Sequence, residues 1–408
     1  MSLVGTPDMA NNRVVLAYSG GLDTSVCVRY LQKLNKLDVI TLTIDCGQNE
    51  DFAGLEQRSM SLGAIKHIHI DVKEEFAADY ISPSIRANGL YQGKYPLATA
   101  LARPLIATKL VETAHQEDAM AVAHGCTGKG NDQIRFDVTI RSLDPSLSII
   151  APIRDMNLTR DIELKFAKEE NIPISFDARK YSVDSNYWGR AVEGGILEDS
   201  YCEPPDDVFH FVGSDGNDPV YIEIGFEKGL PIALNGKDMG LVSIINSLNK
   251  TVGTCGVGII DHIEDRVIGV KSREIYEAPA AIAIIESHKD LEKLVLTNHQ
   301  LRFKHLVDEQ WTWLVYSGLW QEPLRKDLER FIDSSQKKVC GRVKLRIHRG
   351  SMRVVGRESI YSIYKESLAT YGTGSTFDQN LAKGFSELWG LQSIIANSIF
   401  ENKTHNRR

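Results

Sequence analysis

The chain has 408 residues, 42% of them hydrophobic and 25% charged, with a formal charge of −7 and a pI near 5.9. That length exceeds one ordinary hydrophobic core and predicts at least two domains. The acidic balance argues against nucleic acid as a partner, because a phosphate-backbone surface needs clustered Lys and Arg, although it leaves room for a local basic pocket.

The polar stretch through Asn12 has no periodicity and predicts no element. The apolar run Val14, Val15, Leu16 and Ala17 predicts a buried strand that delivers the chain to Tyr18-Ser19-Gly20-Gly21-Leu22-Asp23-Thr24-Ser25. Two glycines allow a tight reversal and close approach to a ligand. Asp23, Thr24 and Ser25 suit the start of a helix whose inward face reads Val26, Tyr30 and Leu34. The free N–H groups at such a helix start favour an anion, and phosphate fits best. No Lys lies between Arg13 and Lys33, so this is not a Walker A loop. The third glycine of the Rossmann fingerprint is also absent.

Strand and helix signals then alternate: a β-branched run at 38–44, a helix at 51–62, a strand at 66–70, a helix at 97–114 and a strand at 119–123. This alternation predicts an α/β fold with a parallel sheet covered on both faces and its ligand at the carboxyl ends of the strands. A second glycine loop, His124 to Gly130, follows the strand ending at Ala123, and Asn131-Asp132 starts a helix through Ile134, Phe136 and Val138. Two anion-competent turns at one sheet edge can hold one nucleotide from two sides.

Beyond about Asp177 the composition changes, and a second domain of α+β type is expected. Residues 220–234 alternate as two strands joined near Lys228-Gly229, and 342–355 reads as another hairpin around Arg349-Gly350. Helical stretches lie near 242–248 and 291–319. The tail carries Leu381, Phe385, Leu388, Leu391, Ile394, Ile395 and Ile399 at helical spacing, an apolar stripe that requires a packing partner. Cys27, Cys46, Cys126, Cys202, Cys255 and Cys340 form no C-x-x-C pair, so reduced thiols are expected, with no zinc site or disulfide framework. No apolar run approaches the roughly 18 residues of a membrane helix, and no signal-peptide pattern is present. No membrane partner and a cytoplasmic location are expected.

The string Ser-Gly-Gly-Leu-Asp-Thr-Ser resembles the PP-loop of the N-type ATP pyrophosphatases. With Gly47-Gln48, YPLATALARP at 95–104, HGCTGKGNDQIRF at 124–136, GGILE at 194–198 and GVKSREIYEAP at 269–279, the chain is similar in order and spacing to the argininosuccinate synthase family. The resemblance implies a ligase that condenses citrulline with aspartate, using ATP and Mg²⁺ and releasing AMP and pyrophosphate. It implies ATP contacts from Ala17, Tyr18, Ser19, Gly20, Gly21, Leu22, Asp23, Thr24 and Ser25, with Ile44 and Gly125 flanking the adenosine. It implies citrulline contacts from Tyr95, Asn131, Arg135, Ser182, Glu264 and Tyr276, and aspartate contacts from Thr99, Thr127, Asn131 and Asp132. The chemistry is compatible: Arg135 suits a carboxylate, Glu264 an ammonium, and Asn or Ser a ureido group. Asp132 is a candidate for orienting the aspartate amine, and Asp23 for helping hold Mg²⁺ or shaping the turn; no residue set is expected to form a metal site by itself. The resemblance further implies a homotetramer built by the second domain and the tail, with divisions at 13–175, 176–365 and 366–408.

Three positions depart from the family pattern. Ala100 and Ala191 stand where serines occur in some members, and CGVGI at 255–259 replaces a His-Gly-Val-Gly-Arg run. Two rivals follow from the PP-loop alone. A sulfurtransferase needs a sulfur-carrying cysteine arrangement and an RNA-binding face, and a glutamine-dependent ligase a spare glutaminase domain, neither of which the composition offers. A catalytically silent nucleotide-binding descendant is the rival from another class, supported only by the two lost serines.

Overall fold

Five short runs form the central parallel sheet: β1 (Arg13–Ala17), β2 (Asp38–Asp45), β3 (Lys66–Asp71), β4 (Ala121–Ala123) and β5 (Ser148–Ile150). They are placed in a computed structural model that describes residues 12–173, 181–213 and 218–405. The order is β3-β2-β1-β4-β5, with every pair parallel. Alternate residues of β1 face opposite sides: Val15 packs with Ile40, Leu42 and Ile44 in one core, and Val14 and Leu16 pack with Val26 and Leu31 in the other. Strand order reverses between β1 and β4. The loops following these two strands therefore leave in opposite directions and open a crevice at their carboxyl ends.

Two antiparallel sheets follow. β6 (Ser182–Asn186), β7 (Gly189–Glu193), β11 (Ile259–Asp265) and β12 (Lys271–Glu277) form one, ordered β11-β12-β7-β6. β8 (Val220–Glu227), β9 (Leu230–Leu234), β10 (Lys237–Asp238), β13 (Gly341–His348) and β14 (Ser351–Glu358) form the other, ordered β10-β9-β8-β13-β14. Both expected hairpins, β8–β9 and β13–β14, are present. The four-stranded sheet is not foreshadowed by periodicity, because β6 reads Ser-Val-Asp-Ser-Asn and several of its side chains line the crevice instead of a hydrophobic core.

Residues through Tyr361 form one compact unit, and those from Ser362 a second. In the second unit the apolar stripe is divided between two helices, Asn380–Trp389 and Leu391–His405, because Gly390, a weak helix former, ends the first. Leu388 is 75% and Trp389 79% exposed.

Candidate active site

The first glycine loop is held open by its neighbours. Gly20 has φ +73°, and a Cβ there would lie 2.1 Å from Leu55 Cδ2. Its carbonyl accepts a hydrogen bond from Arg58 Nη1 at 2.8 Å, so the helix Phe52–Ser61 braces the turn. Gly21 caps the helix Leu22–Lys33 without any side-chain hydrogen bond, leaving the first-turn N–H groups for a ligand. The hydroxyls of Ser19 and Thr24, 3.3 Å apart, lie on the same rim.

The second loop closes on the first. Buried His124 accepts the Cys126 N–H on Nδ1 at 3.2 Å, and its Nε2 lies 2.9 Å from Asp137, a pattern that assigns the proton to Nε2. At Gly125 a Cβ would lie 3.1 Å from Thr24 Cγ2 and 3.3 Å from Thr24 N. A side chain at this position would press on the N–H groups of the first loop. Beside the same loop, Glu163 on the helix Arg160–Glu169 is buried with its Oε2 unpartnered. Burial first, and then the Asp23 carboxylate, push its pKa up to about 8.

Amino-acid-like chemistry gathers at the other end. The Tyr95 hydroxyl accepts the N–H groups of Thr99 at 2.8 Å and Ala100 at 3.4 Å, supplying a cap to the helix Ala98–Gln116 that Leu97 does not. Leu97 itself is held at φ +65°, a strained conformation for a bulky residue at a site. The Tyr95 ring stacks on Tyr276 with centroids 4.1 Å apart. Asp132 and Arg135 are one helical turn apart: Arg135 Nη1 donates to Asp132 Oδ1, and Arg103 Nε to Oδ2, each at 2.9 Å. Arg103 also pairs with Asp184. Burial alone would raise the Asp132 pKa, but the two guanidinium groups outweigh it and hold the carboxyl below its ordinary range. Buried Glu264 accepts the hydroxyls of Tyr276 at 2.6 Å and Tyr316 at 2.7 Å. Burial, reinforced by Glu264, pushes both phenols up, so they remain neutral donors.

A single cavity of about 1220 Å³ is lined by every expected site residue except Gly20, which is turned toward Leu55 and Arg58, and Ser25. Ser25 is buried, and its N–H donates to the Gly21 carbonyl. The Arg135 fork is partly committed: Nε and Nη2 donate to the Tyr316 carbonyl at 3.1 and 2.9 Å, leaving less of it for a ligand carboxylate than its residue type suggests. Ala191 lines the cavity, whereas fully buried Ala100 does not. Cys255 and Ile259 also lie off the lining, and the Cys255 carbonyl accepts the Gly350 N–H in a structural turn. Arg103 and Tyr316 were not among the expected site residues. Arg103 is one helical turn after Thr99 and was open to that spacing argument, whereas Tyr316 ends the distant helix Asn298–Tyr316 and has no local signal. For a divalent cation, Asp23 is the carboxylate at the cradle, and among the described residues no group of three His, Cys, Asp or Glu forms a cation site. That donor set fits Mg²⁺ carried largely by nucleotide phosphates and water.

The profile described as "Arginosuccinate synthase N-terminal HUP domain" matches residues 13–173, and that described as "Arginosuccinate synthase C-terminal domain" matches 181–396. A protein of Pyrococcus furiosus named argininosuccinate synthase is 53% identical over 387 residues, 94% of each chain. Same-named proteins of Pyrobaculum aerophilum and Dictyoglomus turgidum are 51% and 50% identical, over 95% of this chain and 99% and 98% of theirs. With both domain profiles matched in order and half of the residues shared with full-length relatives, the chain belongs to the argininosuccinate synthase family.

Proposed function

We propose that the chain condenses L-citrulline with L-aspartate at the expense of ATP, a carbon–nitrogen ligase reaction of arginine biosynthesis giving argininosuccinate, AMP and pyrophosphate. The observation that carries this reading is the joining, in one cavity, of two opposed glycine loops with a cluster of charged and phenolic side chains suited to amino acids. The citrulline ureido oxygen attacks the α-phosphorus of ATP, the bond to the bridging oxygen breaks, and pyrophosphate departs with that electron pair. The first-turn N–H groups and the hydroxyls of Ser19 and Thr24 receive the leaving charge. The aspartate amine then attacks the activated carbon, loses a proton, and expels AMP. Mg²⁺, when bound, would neutralise phosphate charge, and Asp23 would help to hold it.

Asp132 acts as an acceptor that orients the aspartate amine. Flanked by Arg103 and Arg135 it is ionised, and so is a weak base. No covalent enzyme nucleophile is needed, so positioning and charge stabilisation supply the acceleration. Citrulline labelled in its ureido oxygen tests the first step. The label is expected in AMP; unlabelled AMP from a competent enzyme contradicts the adenylate.

No helix among the described residues is long and apolar enough to cross a membrane, and we place the enzyme in the cytoplasm. We assign the tail stripe to contacts within a homotetramer, on the strength of its exposed Leu381, Phe385, Leu388 and Trp389. Removing the chain after Thr370 is expected to reduce the mass measured by light scattering, and an unchanged mass contradicts that role.

A further inference from the structure

We infer that Tyr316 is the positioning residue that sets the citrulline subsite, an inference that rests on the functional reading above. Its hydroxyl receives Asn131 Nδ2–H at 2.9 Å and donates to Glu264 Oε1 at 2.7 Å. Its carbonyl receives Arg135 Nε and Nη2, and its ring lies 5.1 Å from the Arg135 guanidinium carbon. One residue thereby touches three groups assigned to citrulline, each in a different way.

The directions of these bonds follow from donor inventory. Asn131 Oδ1 is committed to the Val267 N–H at 2.9 Å, so its amide nitrogen must be the group facing Tyr316. A phenol has one proton, and once it accepts from Asn131 that proton goes to Glu264 Oε1 at 2.7 Å, the nearer of two acceptors, the other being the Asp265 carbonyl at 3.1 Å. The remaining N–H of Asn131 is left for a ligand acceptor, and the plane in which it points is fixed by Tyr316. The Arg135 Nε and Nη2 are likewise turned to the Tyr316 carbonyl and Nη1 to Asp132, so its ligand contacts fall to the N–H groups of Nη1 and Nη2 that these bonds leave.

Tyr316 is itself held rigidly. Its ring stacks on Tyr91 at 3.4 Å, with planes 9° apart, and the Tyr91 hydroxyl is anchored on the Asp265 carbonyl at 2.8 Å. It closes the helix Asn298–Tyr316, whose start carries a reciprocal capping box between Thr297 and Gln300. A group at the end of a well-capped helix is a better positioning element than one on a loop.

The test is Tyr316→Phe, which keeps the ring and the main-chain carbonyl and deletes the hydroxyl. Because a hydrogen bond to a charged group is lost, the KM for citrulline is expected to rise about tenfold or more, while those for ATP and aspartate change less than about twofold. A structural role alone would lower the melting temperature without dividing the substrates in this way. An unchanged citrulline KM, or equal movement of all three, overturns the inference. Should the variant fail to fold, a fluorinated tyrosine at position 316 keeps the hydroxyl but makes it a weaker acceptor for Asn131, and the same selective rise is expected; its absence overturns the inference equally. Wild-type protein that releases no pyrophosphate in response to citrulline would instead overturn the functional reading itself.

Discussion

The glycine-loop end of the cavity is made by residues of two short contiguous runs, 17–25 and 124–130, whereas the other end draws Tyr95, Asn131, Arg135, Glu264 and Tyr276 from separated segments, with Tyr316, off the lining, hydrogen-bonded to three of them. At the first end the main chain does the work, so glycine and helix starts are required. At the second, side chains orient one another through Asp132, Glu264 and the phenols. Backbone cradles leave a local mark in a sequence, and tertiary networks do not. The same contrast predicts that damage should divide by substrate.

The largest effect is expected from Asp23→Ala, which should abolish pyrophosphate release by about three orders of magnitude while leaving circular dichroism unchanged. Its carboxylate lies near buried Glu163 and helps to keep that group protonated, so its removal is expected to lower the Glu163 pKa. Normal turnover in this variant would remove Asp23 from the mechanism. Arg103→Lys should act at the opposite end. Lysine keeps a charge but cannot fork between Asp132 and Asp184, so kcat/KM for aspartate should fall by about 10–100-fold with the KM for ATP little changed. A loss shared equally by ATP would erase the division between the two ends.

A smaller effect is expected from Gly125→Ala, whose added methyl meets Thr24 at little more than 3 Å. The KM for ATP should rise about tenfold while those for the amino acids stay close to wild type. The smallest effect concerns stability. Glu163 titrates near 8 in the folded protein against an ordinary value of 4.5. Between these values the folded state keeps a proton that the unfolded chain has released, so stability declines as pH rises from about 5 to about 8. Glu163→Gln removes that contribution. Its melting temperature should match wild type near pH 4 and exceed it by about 2–4 °C at pH 8. A constant difference across the range would show that Glu163 does not titrate in this way.

Legibility followed the same physics. The strand into Gly20-Gly21 and the strand into His124–Gly130 were readable because apolar runs, turn residues and helix starts occur in one short window, and they locate the crevice. The parallel sheet was readable from alternation through β4, whereas β5, with only two apolar residues and none of them fully buried, shows no pattern. The sheet β11-β12-β7-β6 was not, since strands that turn polar residues toward a cavity lose the alternation that marks them. Arg135 was foreseen by residue type, but its commitment to the Tyr316 carbonyl depends on a helix nearly two hundred residues later in the chain. The tail stripe was plain in sequence. Its spacing reads as one terminal helix, which the structure divides at Gly390, and the unburied state of the stripe belongs to packing.

Pyrophosphate release by purified protein with Mg-ATP, omitting citrulline and aspartate in turn, tests the central claim most directly. Release that requires citrulline, with stoichiometric argininosuccinate once aspartate is added, is the predicted result. A folded protein that binds ATP yet releases no pyrophosphate in response to citrulline would contradict it.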